Sequence, residues 1–230
     1  MIQAIFFDFN GVIIDDEQLQ MAAYQEVLRE HSIELTEADY FGALGMDDKT
    51  FVRAAFARAN KTLTDDVLGS VLSGKGTKHR KLIEGELPLF PGVVTFLQAA
   101  SRSYQLGVVS MAGLNEIDYA LQRSKLRSLF TVVVSAEDVS VCKPAPDCYR
   151  IALEKLNEQR RSDRKLPLMP AECLVVEDSP PGIESGKQAG MRTLGVTNTV
   201  AETVLRTAGA DVVTANLADW NVDAVRHVFN

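Results

Sequence analysis

The stretch IQAIFFDFNGVIIDD, residues 2–16, decides the fold. Its first six residues are an almost unbroken apolar run, which is typical of a strand buried on both faces of a parallel sheet. The run ends at Asp8, and a polar turn containing Gly11 follows. Because open α/β sheets bind ligands at the carboxyl ends of their strands, this pattern predicts a functional carboxylate at Asp8. A strand followed by an ordinary turn is the alternative, which this stretch alone leaves open.

The second half of the chain alternates between predicted strands and predicted helices. Strands are expected at residues 106–109, 132–134, 174–176, 193–196 and 211–213. Helices are expected at residues 93–101, 115–124, 147–156 and 182–189. Such alternation implies right-handed crossovers between parallel strands. The sequence therefore predicts an α/β fold with a Rossmann-like parallel sheet covered by helices.

The segment between the first strand and the rest of the sheet has a different pattern. It has helical periodicity and no convincing strand, with helices expected at residues 18–30, 50–58, 65–72 and 77–83. We therefore predict a helical cap at residues 17–86, inserted into an α/β core made of residues 1–16 and 87–230.

Composition restricts the classes of partner. The chain has 230 residues, a formal net charge of −7 and 46% hydrophobic residues, which argues against a nucleic-acid surface. No apolar run is long enough to span a membrane, and the chain enters its first strand without a leader. We expect a cytoplasmic protein with reduced thiols at Cys142, Cys148 and Cys173, and neither nucleic acid nor membrane as partner. The oligomeric state is left open, with a monomer favoured.

One basic segment contains Arg160, Arg161, Arg164 and Lys165. It lies in a polar stretch that leads to Pro167. We interpret it as a solvated loop and not as a binding patch.

Polar residues follow several of the predicted strands. They are Asp8, Ser110, Lys143 and the pair Glu177–Asp178. Each of these would more often be structural when considered alone. Their joint placement at one edge of the predicted sheet indicates a functional site.

The predicted carboxylates suit a metal ion and a nucleophile. Asp8 and Asp178, with Glu177 in support, offer the hard oxygen ligands that Mg²⁺ prefers. Asp8 can also attack phosphorus and form an aspartyl-phosphate.

The remaining polar groups suit a phosphoryl group. Ser110, together with the backbone N–H of Met111, can bind a phosphate oxygen, and Lys143 supplies a positive charge. Taken together, these residues describe phosphoryl transfer by positioning and charge stabilisation.

In combination the motifs resemble the haloacid dehalogenase-like superfamily over essentially the full length. The matching segments are FFDFNGV at 6–12, VVS at 108–110, KPAPD at 143–147 and VVEDSPPGIESGKQAGM at 175–191. Their order and the helical insert resemble the subgroup of phosphoglycolate phosphatase-like and β-phosphoglucomutase-like enzymes. The resemblance implies that Asp8 is the nucleophile, and that Mg²⁺ binds Asp8, the main-chain carbonyl of Asn10 and Asp178.

Asn10 departs from the family pattern. The family has an aspartate there as general acid and base, whereas an amide cannot transfer a proton at neutral pH. Since general acid–base catalysis contributes ~10²–10⁴-fold, we expect slow turnover. Gln20 and Asp48 replace a histidine and an arginine of the mutases, and Lys75, on a polar helical face, is expected to be solvated.

The sequence therefore predicts a Mg²⁺-dependent phosphatase of a small phosphorylated metabolite of the sugar phosphate class. A catalytically silent phosphate-binding or regulatory protein is the alternative, because of Asn10. A phosphoglucomutase is a third hypothesis, less favoured than either.

Overall fold

The computed structural model describes residues 1–229, and a parallel sheet lies at its centre. In that range the strands are β1 (Ala4–Phe7), β2 (Gln105–Val109), β3 (Phe130–Val134), β4 (Cys173–Glu177), β5 (Arg192–Val196) and β6 (Val212–Thr214). They pair in the order β3-β2-β1-β4-β5-β6, and every pairing is parallel. This order is that of the doubly wound Rossmann sheet, so the predicted fold class is confirmed. The direction of winding reverses between β1 and β4, where such sheets bind ligands.

Helices cover the sheet and also make up most of the chain between β1 and β2. They are α1 (Glu17–Arg29), α2 (Glu37–Phe41), α3 (Asp48–Arg58), α4 (Asp65–Glu84), α5 (Val93–Ala100), α6 (Leu114–Arg123), α7 (Asp147–Ser162), α8 (Pro180–Gln188), α9 (Glu202–Thr207) and α10 (Val222–Phe229). The sequence analysis did not predict α9 and α10. In the part of the chain that is described, none of these helices combines the length and the apolar character that crossing a membrane requires.

Strand β1 is buried along its whole length because side chains pack against both of its faces. Phe7 meets Phe96 and Phe130 edge-on, with ring centroids 6.2 and 6.4 Å apart. Phe6, which points to the opposite face of the sheet, belongs to a second apolar cluster with Tyr149. The two packed faces explain the continuous apolar run of the first strand.

Helices α1 to α4 pack around an apolar cluster of their own. Its members include Tyr24, Val27, Leu28, Phe51 and Val71. The boundaries of the cap at residues 17–86 stay a prediction, although the helices between β1 and β2 agree with its helical character.

The two connections between these helices and the sheet lie side by side. The backbone N–H of Asp15 donates to the carbonyl of Pro88 at 2.7 Å, and Ile14 forms an antiparallel bridge with Leu89. The entry and exit of the helical segment are therefore tied together at one point beside the end of β1.

Helix α4 corrects one of our predictions, because it is continuous where we expected two helices. Gly74 lies where α4 approaches α1, and a Cβ atom there would come within 3.2 Å of Val27 Cγ1. A glycine inside a helix costs only about 1 kcal/mol, so packing keeps the helix intact. The solvated position expected for Lys75 is also wrong, since its side chain is buried with 2% exposure.

The interpretation of the basic segment as a loop is wrong for its first half. Arg160 and Arg161 lie in the last turn of α7, where positive charge is favourable to the helix dipole. The guanidinium of Arg160 donates to Gln105 Oε1 at 2.5 Å and to the Leu166 carbonyl at 2.7 Å. Arg160 therefore fixes the C-terminal end of α7 against the first residue of β2.

Candidate active site

The predicted site residues come together at the carboxyl edge of the sheet, where the winding reverses. A cavity of about 100 Å³ is lined there by Asp8, Asn10, Ser110, Met111, Lys143 and Asp178. Glu177, the last residue of β4, is fully buried and pairs with Lys143 beneath the cavity. The strand ends bring these residues together, and their roles stay predictions.

Lys143 connects the carboxylates of two neighbouring strands. Its Nζ donates to Asp8 Oδ1 at 2.8 Å, to Glu177 Oε1 at 2.6 Å and to the Val109 carbonyl at 3.2 Å. Burial lowers the pKa of Lys143, but the negative charges of Asp8 and Glu177 outweigh burial and raise its pKa above the ordinary value. The ammonium is therefore permanently charged, with its three hydrogens in use.

The protonation of Asp8 depends on this arrangement. Burial raises the pKa of its carboxyl to about 7, with Glu177 adding to the effect and Lys143 opposing it. Burial, followed by the charges of Glu177 and Asp8, raises the pKa of Asp178 as well. A nucleophilic carboxylate must be ionised, so a further cation beside these groups would favour the reactive form.

The carboxylates form a set that fits a hard divalent cation. One oxygen each from Asp8, Glu177 and Asp178 lies within 4.8 Å of the others, and oxygen donors of this kind are the ligands that Mg²⁺ prefers. The Asp178 carboxylate lies so close to Gly11 that a Cβ atom there would be 1.9 Å from Oδ2. Gly11 has a φ of +76°, so both the turn and the close approach require glycine at this position.

Glu177 is held by donors on every side. Besides Lys143 it accepts hydrogen bonds from the Tyr149 hydroxyl at 2.8 Å and from the Ser179 hydroxyl at 3.1 Å. Its carboxylate lies over Gly182 in α8, where a Cβ atom would be 1.9 Å from the carboxyl carbon. This satisfied carboxylate fixes the position of Lys143, while Asp178 is the one that lines the cavity.

The packing of Glu177 over Gly182 makes a testable prediction. Replacing Gly182 with alanine should lower the free energy of unfolding by about 1–3 kcal/mol, because the new methyl group overlaps a buried charged group. Gly76→Ala is the matched control, since nothing lies within 4 Å of the added Cβ, and a gain of about 0.5–1 kcal/mol is expected there. Urea denaturation of both variants measures the two effects, and equal stabilities would contradict the proposed packing.

Asn10 is held by a polar cluster that the sequence analysis missed. Its Nδ2 donates to Asp16 Oδ1 at 2.9 Å, and Asp16 is fully buried. Gln20 Nε2 and His79 Nε2 lie 3.0 and 2.8 Å from the other oxygen, Asp16 Oδ2. The sequence analysis gave Asp16 no role, and the sole signal was a carboxylate directly before a helix.

The helices of the predicted cap supply the remaining wall of the cavity, which includes Glu17. The Tyr40 hydroxyl donates to Glu17 Oε2 at 2.6 Å. Burial raises the pKa of Glu17 from 4.5 to about 7, with the nearby charges of Asp16 and Asp8 adding to the effect. Glu17 is thus partly protonated near neutral pH.

The raised pKa of Glu17 has a consequence for stability. Because the folded protein binds this proton more tightly than the unfolded chain, the free energy of unfolding should fall as the pH rises from about 4.5 to 7. Glu17→Gln keeps an acceptor for Tyr40 without the charge, so it should be about 1–3 kcal/mol more stable than the wild type at pH ~8 and similar at pH ~4.5. Thermal unfolding across this range tests the prediction, with the exposed Glu34→Gln as control. A difference that does not change with pH would contradict it.

The comparisons with known proteins agree with one another. A family model described as haloacid dehalogenase-like hydrolase matches residues 5–196. A Bacillus subtilis protein named "Putative phosphatase YhcW" is 30% identical over 216 residues, which are 89% of this chain and 88% of the relative. A Thermotoga maritima protein named phosphorylated carbohydrates phosphatase is 26% identical over 201 residues, which are 86% of this chain and 87% of the relative. The structure of β-phosphoglucomutase from Clostridium difficile has the same fold, with a TM-score of 0.87 and 19% identity, and the match covers 100% of this chain and 98% of that one.

Proposed function

Because this chain belongs to the haloacid dehalogenase-like hydrolases, we propose that it is a Mg²⁺-dependent phosphatase of a small phosphorylated metabolite of the sugar phosphate class. The observation that carries the proposal is the contact of Lys143 with both Asp8 and Glu177 at the point where the sheet reverses. Both relatives named above are called phosphatases, one of them for carbohydrates. The cytoplasmic location and the monomeric state stay predictions.

In the proposed reaction Asp8 is the nucleophile. An oxygen of its carboxylate attacks phosphorus, the bond between phosphorus and the ester oxygen breaks, and an aspartyl-phosphate forms. Water then attacks this phosphorus and releases inorganic phosphate, which regenerates the carboxylate. Lys143 holds the attacking carboxylate in place throughout.

Ser110 is oriented to bind the phosphoryl group. Its Oγ accepts a hydrogen bond from the backbone N–H of Ala112 at 3.1 Å, so the hydroxyl hydrogen stays free to donate to a phosphoryl oxygen. Lys143 provides positive charge beside the same oxygens. Together they would stabilise charge that develops on the phosphoryl group.

Mg²⁺ would be held by Asp8, the carbonyl of Asn10 and Asp178, with Glu177 in support. This assignment rests on the closely spaced carboxylate oxygens and on the raised pKa values of Asp8 and Asp178, which a cation would lower. When bound, the ion would neutralise charge on the phosphoryl oxygens.

The second candidate function is a silent phosphate-binding protein. Asn10 favours it, because the amide that replaces the acid and base donates to Asp16 and has no proton to transfer. A phosphatase that lacks only proton transfer would still react with phosphate esters that have good leaving groups, because those leaving groups need little protonation. A silent protein would not react with them.

A phosphate-release assay tests the proposed function. With Mg²⁺ present, the wild type should release phosphate slowly from p-nitrophenyl phosphate and acetyl phosphate, and more slowly still from sugar phosphates. Asp8→Asn, or removal of Mg²⁺ with a chelator, should abolish release, whereas the exposed control Asp66→Asn should keep it. Absence of release from every ester, in the wild type and in Asn10→Asp, would reject the phosphatase and leave the silent protein.

A further inference from the structure

The cavity wall on the side of helices α1 to α4 is crowded with acids. We use the name cap-side wall for Glu17, Gln20, Tyr24, Tyr40, Asp48 and Lys75, together with Glu116 from α6, all of which line the cavity. Three of these residues are carboxylic acids and one is a lysine. The wall therefore disfavours any anionic group that a substrate carries in addition to the phosphoryl group that is transferred.

Lys75 does not change this conclusion, because its hydrogens are already used. Its Nζ donates to Asp48 Oδ1 and Oδ2 at 3.3 and 3.1 Å and to Glu116 Oε2 at 3.2 Å. The side chain is buried with 2% exposure. An ammonium has three hydrogens, so nothing remains for a substrate phosphate unless an ion pair breaks.

The other side-chain donors of the cap-side wall are also occupied. The Tyr24 hydroxyl donates to Asp48 Oδ1 at 2.5 Å, and the Tyr40 hydroxyl donates to Glu17 Oε2 at 2.6 Å. Gln20 Nε2 donates to Asp16 Oδ2 and to Glu116 Oε1, at 3.0 and 2.5 Å. Each of these polar groups therefore directs its hydrogens at a carboxylate of the protein.

One buried acceptor on this wall lacks a partner. Gln20 is only 5% exposed, and among residues 1–229 no donor reaches its Oε1. A buried acceptor without a donor costs about 1–3 kcal/mol. This atom is an independent sign that a donor is missing from this part of the site.

From this arrangement, and resting on the proposed function, we infer that the substrate's leaving group is rich in hydrogen-bond donors and carries no second anion. The cap-side wall offers carboxylate, phenol and amide oxygens as acceptors, so the ligand must bring O–H or N–H groups. A hydroxylated alcohol fits, and one that also bears an ammonium group fits better because it balances the carboxylates. The chemical class is therefore the phosphate monoester of a neutral or amino sugar, and sugar bisphosphates and phosphorylated sugar acids are disfavoured.

Matched substrates test this inference. Values of kcat/KM for glucosamine 6-phosphate, glucose 6-phosphate, glucose 1,6-bisphosphate and 6-phosphogluconate should be measured with Mg²⁺ on the wild type and on Asn10→Asp. The amino sugar should be used at least as well as glucose 6-phosphate. The bisphosphate and the sugar acid should be used ~10–100-fold less well, because a like charge faces the wall.

A variant of the cap-side wall tests whether the negative charge of the wall causes the poorer use of the bisphosphate. Asp48→Asn removes one negative charge and frees hydrogens of Lys75, so it should raise the kcat/KM ratio of bisphosphate to glucose 6-phosphate by ~10-fold. The exposed Asp66→Asn of the same helical segment should leave the ratio unchanged. An unchanged ratio in Asp48→Asn would overturn the role of the wall.

The outcomes distinguish this inference from the proposed function. If the bisphosphate or 6-phosphogluconate is hydrolysed as efficiently as glucose 6-phosphate, the inference is wrong while the phosphatase assignment stands. If even p-nitrophenyl phosphate is not hydrolysed by Asn10→Asp, the proposed function fails and the inference fails with it.

Discussion

Replacing Asn10 with aspartate should raise the turnover of sugar phosphates by ~10²-fold or more. An alkoxide leaving group needs a proton in the first half-reaction, and the attacking water must lose one in the second. The amide of Asn10 can do neither. The new carboxyl would face Asp16, whose Oδ1 now accepts from Asn10 Nδ2 at 2.9 Å. A second carboxylate this close favours the protonated form of the new carboxyl, which supplies the acid that the first half-reaction requires.

The same substitution should have a smaller effect on the first half-reaction of acetyl phosphate and of aryl phosphates, because their leaving groups need little protonation. Pre-steady-state release of the leaving group from both kinds of ester measures the contrast, since hydrolysis of the aspartyl-phosphate is common to all of them. Asn221 is exposed and does not line the cavity, so Asn221→Asp is the control and should change neither rate. If Asn10→Asp leaves turnover of every ester unchanged, the acid–base assignment at this position is wrong.

Replacing Lys143 with methionine should lower the free energy of unfolding by about 3–5 kcal/mol near pH ~8. The change leaves Glu177, which is fully buried, and Asp8 facing each other without a positive charge. Activity should be lost as well, because the carboxylate of Asp8 would no longer be held in place. The measurement is denaturation in the absence of Mg²⁺, so that the metal does not compensate for the missing charge.

The stability deficit of Lys143→Met, which is its loss of unfolding free energy relative to the wild type, should depend on pH. Burial and Glu177 raise the pKa of Asp8, and the lysine that opposes this shift is gone, so the folded variant binds protons more tightly than the unfolded chain. The free energy of unfolding should then fall as pH rises above about 4, and the deficit should be smaller at pH ~5 than at pH ~8. Lys187→Met removes a partly exposed pair with Asp211 and should change stability by less than ~1 kcal/mol. Equal deficits for the two variants would contradict the role of Lys143.

The sheet and the phosphoryl side of the site could be predicted because their signals are local. The apolar run before Asp8 and the acidic pair at the end of β4 mark strand ends, and parallel strands end at the same edge. The fold class is confirmed, and the structure gathers these residues around one cavity. Their positions follow from the sequence, and their roles are what the experiments test.

The cap-side wall could not be predicted because its contacts join distant residues. Lys75 meets Asp48 across 27 positions and Glu116 across 41. A lysine on a polar helical face gives no local sign that carboxylates of two other helices will bury it. The two short helical predictions within α4 failed for a related reason, since the packing of Gly74 against α1 is not visible in helix propensity.

The central claim is that Asp8 accepts a phosphoryl group, and intact-mass spectrometry after treatment with acetyl phosphate and Mg²⁺ tests it most directly. Asn10 should make the acyl-phosphate long-lived, because no base activates the water that would hydrolyse it. The wild type should therefore gain the mass of one phosphoryl group, and Asp8→Asn should gain none. A wild-type mass that does not change, or the same gain in Asp8→Asn, would contradict the account.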